Sequence, residues 1–125
     1  MTAAMIPGDV RRFLLAAIPT VPHLEALLLL RGRQEDWTLA HLASRLYVDA
    51  ASAAALLQEL VGADLVVAGD TGYRYAPADA DVAVTVDTLA ALYARQTVAV
   101  AELIHSSSDR KAQRFADAFR LRKEP

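Results

Sequence analysis

Cysteine is absent from the chain, and that omission removes disulfides, thiolate metal sites and cysteine nucleophiles together. It suits a reducing compartment, so a cytoplasmic location is expected. Long hydrophobic runs are missing as well. Arg11 and Arg12 precede only the short apolar stretch FLLAAI before Pro19, too little for an export signal. No uncharged apolar run reaches the roughly 18 to 20 residues that span a bilayer, so no membrane role is expected. The three histidines, His23, His41 and His105, fall in three different segments without an i, i+4 pair, and no carboxylate run has metal-ligand spacing. Each is read as a surface or half-buried histidine, and no metal site is expected. The paired glycines of Gly69-Asp70-Thr71-Gly72 lack the lysine and the following helix of a phosphate loop. No serine, histidine and aspartate match a nucleophilic constellation. The chain is therefore read as non-enzymatic, with no catalytic residue and no cofactor.

What is present is apolar material in quantity. At 125 residues and 54% apolar composition the chain is one domain's worth, with ample side chains for a core. The net charge of −2 is uneven: the first 108 residues carry −5, and the stretch from Asp109 onward carries +3 through Arg110, Lys111, Arg114, Arg120, Arg122 and Lys123. The isoelectric point near 5.9 lies below that usual for a dedicated nucleic-acid domain.

Asp9 precedes Val10, Phe13, Leu14 and Ala17, a short amphipathic helix that Pro19 and Pro22 bring to a close. Pro22 can start the next helix. Residues 23 to 31 contain four consecutive leucines, so that helix is apolar around much of its circumference and is expected to be buried. Gly32 ends it. A polar loop, Arg33 to Asp36, leads to Trp37, the sole tryptophan, read as a packing anchor rather than a ligand contact.

The stretch from Trp37 to Pro77 holds the most organised pattern. Leu39, Leu42, Ala43 and Leu46 fall at helical spacing behind Thr38, which can cap them. Tyr47 and Val48 interrupt, and Asp49 can cap a second helix whose apolar face is Ala53, Leu56, Leu57 and Leu60. Gly62 can end it. After Asp64 come two β-rich runs, Leu65 to Ala68 and Tyr73 to Ala76, around the turn Gly69-Asp70-Thr71-Gly72. Helix, short turn, helix and hairpin in this order resemble a winged helix-turn-helix domain of the bacterial transcription-regulator type.

The expected fold is thus mostly α with a small β-hairpin: a winged helix-turn-helix over residues 1–78, then a helical extension over 79–125 made of a long helix and a C-terminal amphipathic helix. Val82, Val86, Leu89, Tyr93, Gln96, Val100 and Leu103 are spaced as a heptad seam, so the extension is expected to dimerise the chain. Val82, Val84 and Val86 also alternate as a third wing strand would. Around Val98 to Ile104 the segment is apolar on nearly every side and calls for cover by a partner chain or by the last helix. Ser106-Ser107-Ser108 is read as a break that caps that helix, whose stripe of Ala112, Phe115, Ala116 and Phe119 is read as docking to close the core. The other reading of this helix is an arm that grips an acidic partner or a second subunit.

The resemblance implies a small dimeric regulator that binds double-stranded DNA without catalysis, its second helix in the major groove and Arg45 and Arg74 on phosphate. The outer face of that helix reads mainly Ala50, Ala51, Ala54, Ala55, Gln58 and Glu59, without one basic residue. Phosphate neutralisation by Lys and Arg supplies most non-specific DNA affinity. The alternative is therefore a winged-helix module that binds a protein, with this small, alanine-rich face allowing close approach.

Overall fold

The computed structural model describes residues 6–123, with side chains as far as Ala118. Six helices and one hairpin follow in the order α1 (Gly8–Ala17), α2 (Val21–Gly32), α3 (Leu39–Leu46), α4 (Ala50–Gly62), β1 (Val66–Gly69), β2 (Gly72–Tyr75), α5 (Ala80–Arg95) and α6 (Thr97–Lys123). The fold is mostly helical with a two-stranded antiparallel hairpin. Local chemistry sets the starts. Thr38 Oγ1 accepts the His41 amide at 3.1 Å and the Asp49 carboxylate accepts the Ser52 amide at 2.7 Å, each satisfying a donor that the first helical turn leaves free. That bond from the Ser52 amide holds the Asp49 carboxyl below its usual range. Thr20 caps α2 in the same way, and Pro22 sits in the first turn, where its missing N–H costs nothing.

The hairpin pairs Val66 with Tyr75 and Gly69 with Gly72, leaving Asp70 and Thr71 as a two-residue loop. Its strands start one residue away from the expected positions. Trp37 adds a bridge on the other side of β2: its amide donates to the Tyr73 carbonyl at 2.8 Å and the Tyr73 amide donates back at 2.8 Å. The hairpin is thereby tied to the residues that open α3. Among the described residues two non-glycines adopt left-handed backbone, Tyr47 at φ 58° and Asp64 at φ 62°. α4 ends at Gly62, and Asp64, two residues later in left-handed backbone, turns the chain into β1.

One apolar cluster runs through the molecule, joining Val10 and Leu14 of α1 and Leu24, Leu27 and Leu30 of α2 to Leu57 and Leu60 of α4 and to residues of both last helices. No single helix among the described residues is long and apolar enough to cross a membrane.

The extension departs from the expected pattern. Val82, Val84 and Val86 lie in α5, not in a third strand. The break falls at Gln96, whose φ of −132° and ψ of 51° leave the helical region, and α6 then runs straight through Ser106, Ser107 and Ser108. Three serines each disfavour a helix by only about half a kcal/mol, too little to interrupt one already anchored in the core at its start. The break also turns the heptad seam inward. Val86, Leu89 and Val100 are fully buried and Leu103 is 9% exposed, all within one chain, while Tyr93 and Gln96 are half-buried. With α5 packed on α1 and α6 packed on α1 and α2, Val86, Leu89, Val100 and Leu103 belong to the chain's own core.

The described part of the C-terminal stripe, Ala112, Phe115 and Ala116, is exposed rather than buried in the core. From His105 to Ala118 no side chain is buried, and Phe115 is 73% exposed. Because α6 is one helix of 27 residues, about 40 Å long at 1.5 Å per residue, among its described side chains only those of the first turns reach the core, through Val100, Leu103 and Ile104. The side chains of Phe119, Arg120, Arg122 and Lys123 lie outside the described residues, as does Glu124.

Candidate functional site

The α3–α4 pair forms the site that the sequence pattern singles out. Leu42 and Ala43 of α3 face Ala53, Leu56, Leu57 and Leu60 of α4 as part of the buried interior. That burial turns Ala50, Ala51, Ala55, Gln58 and Glu59 outward, with Ala54 half-buried at the edge. The outward face thus offers four small methyl groups, the exposed Ser52 hydroxyl, one amide and one carboxylate.

The carboxylate is engaged. His23 Nε2 lies 2.7 Å from Glu59 Oε1, and His23 Nδ1 lies 2.6 Å from Thr20 Oγ1. With the Thr20 hydroxyl donating to Nδ1, the Nε2–H donates to Glu59, and both ring nitrogens are satisfied. His23 is only 6% exposed, so it is a buried histidine rather than a surface one. Nothing local in the sequence marks this pair, since its members stand 36 residues apart on α2 and α4. We expect His23→Ala to cost about 3 kcal/mol through a cavity and a lost hydrogen-bond pair. Glu59→Ala should cost about 1 kcal/mol, because the Glu59 side chain is 62% exposed. In urea unfolding the double variant should cost less than both singles together; strict additivity would mean that the two side chains act independently.

The two arginines expected on phosphate sit in different surroundings. Arg74 Nε lies 3.0 Å from Asp36 Oδ1, and the Thr71 hydroxyl donates to the other oxygen of the same carboxylate. The Thr71 bond, followed by the Arg74 charge, holds the Asp36 carboxyl below its usual range. The charge on the hairpin is therefore balanced within the hairpin and its neighbouring loop. Arg45 is exposed and has no ion-pair partner among the described residues. It opens onto a cavity of about 410 Å³ that Leu28 and Leu29 of α2, Leu46, Tyr47 and Tyr93 line together with Glu25. Burial, with the Glu25 carboxylate adding to it, raises the Tyr93 hydroxyl above the ordinary tyrosine range.

Trp37 is a packing residue. It is 3% exposed, its Nε1–H donates to the Arg33 carbonyl at 2.9 Å, and its ring stacks on His41 at 4.7 Å. Tyr47 is the residue that the sequence reading passed over. It is 95% exposed and held in left-handed backbone beside the start of α4. A bulky residue in that conformation costs of order 1 kcal/mol, and its ring is not covered by the chain.

Among the described residues no group of three histidine, aspartate or glutamate side chains could hold a metal ion. Comparison with protein-family models, with curated proteins and with solved structures finds no match to the chain.

Proposed function

We propose that the chain is a winged helix-turn-helix module, residues 1–78, with a helical extension over 79–125, and that its α4 face docks on another protein in the cytoplasm. The observation that carries this reading is the composition of the exposed face: Ala50, Ala51, Ser52, Ala55, Gln58 and Glu59, with no cation, Glu59 bonded to His23 and the hairpin arginine neutralised by Asp36. A duplex would meet no free positive charge on that helix, and phosphate neutralisation is what supplies its affinity. A protein backbone, by contrast, can approach closely over alanines, with the exposed Tyr47 as an aromatic anchor beside them.

A second reading, the dimeric DNA-binding regulator, has one observation in its favour. Arg45, at the C-terminal end of α3, is exposed and without an ion-pair partner among the described residues, so it is available to phosphate. Such a dimer would join through surfaces other than Val86, Leu89 and Val100.

Ala51→Arg with Ala55→Arg separates the two, because both positions are exposed and one turn apart. In cross-linking from native cells, a partner held by the wild-type chain should be lost in the double variant, where an unpaired arginine in a close-packed interface costs several kcal/mol. In mobility shifts at low salt the wild-type chain should leave duplex DNA unmoved. A wild-type shift that strengthens in the double variant would establish the regulator instead.

A further inference from the structure

A groove between α1 and α6 gathers positive charge. Two depressions of about 410 and 210 Å³ share Arg11, Leu103 and Arg110 and so lie end to end. Together they follow α6 from Ala99 to Arg114, about 22 Å at 1.5 Å per residue. Four cations line this trench: Arg11 from α1, and Arg110, Lys111 and Arg114 from one face of α6. Against them stands one lining carboxylate, Glu102. None of the three arginines has an ion-pair partner among the described residues, and the Lys111 ammonium donates to the Leu15 carbonyl at 3.1 Å. Like charges gathered in this way repel one another, and an anionic occupant relieves that repulsion.

The floor of the groove decides what kind of anion fits. Leu15, 38% exposed, the nearly buried Leu103 and the half-buried Ile6 and Ala99 form an apolar floor beside the cations. A phosphate backbone has nothing apolar to place there. An acidic helix with an apolar stripe covers the floor and presents carboxylates to both walls, and 22 Å accommodates about four helical turns. A second copy of this chain does not offer such a helix: in α5, Asp87 is already paired with Arg31 at 2.9 Å, leaving Asp81, α6 sets six cations against Glu102, Asp109 and Asp117, and α1, α2 and α4 hold one acid each.

We propose that the α1/α6 groove docks an acidic amphipathic helix of a partner protein. The inference rests on other residues than those of the α4 face and does not depend on it. Its probe is a fluorescein-labelled peptide of about 15 residues, glutamates flanking a leucine stripe at i, i+3, i+4 and i+7, compared with the same composition scrambled to destroy the stripe. Fluorescence anisotropy should show the striped peptide binding at low ionic strength, weakening as salt is added, and binding better than the scrambled one. Arg11→Ala with Arg114→Ala should reduce its affinity tenfold or more while helix content and thermal midpoint stay unchanged, since both side chains are exposed. Leu15→Ser should weaken the striped peptide alone. Equal binding of the two peptides, equal binding by the double variant, or tighter binding of a duplex of about 20 base pairs that the same variants abolish would each overturn the proposal.

Discussion

Val100→Glu should abolish cooperative folding, not release a folded monomer. Val100 is fully buried in the second turn of α6, in the same cluster as Val86, Leu89 and Ile104. A glutamate there loses the burial of the valine, about 2 kcal/mol, and places a carboxyl among apolar side chains with no partner, several kcal/mol more. Against a typical stability of about 5–15 kcal/mol, that removes most of what holds the domain together. Far-ultraviolet circular dichroism should show lost helix and thermal melting should show no sharp transition. Val98→Glu supplies the contrast: two residues earlier and 71% exposed, it should change stability by less than about 0.5 kcal/mol. A Val100→Glu protein that keeps its helix and merely halves in size would return Val100 to a dimer seam.

That contrast bears on what a sequence reveals. The caps at Thr38 and Asp49, the apolar face of α4 and the turn at Asp70-Thr71 are local: each is specified by residues within a few positions of one another, and each forms as expected. The heptad spacing from Val82 to Leu103 was also legible, but spacing identifies a buried face and does not say what buries it. The decision depends on the break at Gln96, and glutamine is an ordinary helix former, so nothing around it signals a break. The three serines gave the opposite signal and were outweighed by continuity with the anchored first turns of α6. The site followed the same division. The outward residues of α4 follow from periodicity alone. The partners that change their chemistry, His23 for Glu59 and Asp36 for Arg74, come from 36 and 38 residues away, and the groove joins Arg11 to residues almost the whole chain distant.

Gly72→Ala should unfasten the hairpin from the body. Gly72 holds φ at +143°, a conformation that residues with a Cβ rarely adopt, and an added Cβ would lie 2.2 Å from the Trp37 carbonyl oxygen and 2.7 Å from its carbon. Both are backbone atoms and cannot move aside as a side-chain tip can. Relieving the clash means separating β2 from Trp37, which sacrifices the two 2.8 Å bonds between Trp37 and Tyr73. The expected cost is about 3 kcal/mol or more, from strain and lost hydrogen bonds together. The sole tryptophan reports it directly: Trp37, 3% exposed in the native chain, should show red-shifted emission and greater quenching by iodide. The Arg74–Asp36 pair spans the same junction, so the hairpin arginine should be freed at the same time. Gly69→Ala, on the other side of the two-residue loop, is the matched control, since its Cβ would meet nothing nearer than the Gly72 carbonyl at 3.8 Å, an ordinary contact. If the two variants melt alike, the close approach of β2 to Trp37 does not hold the hairpin in place.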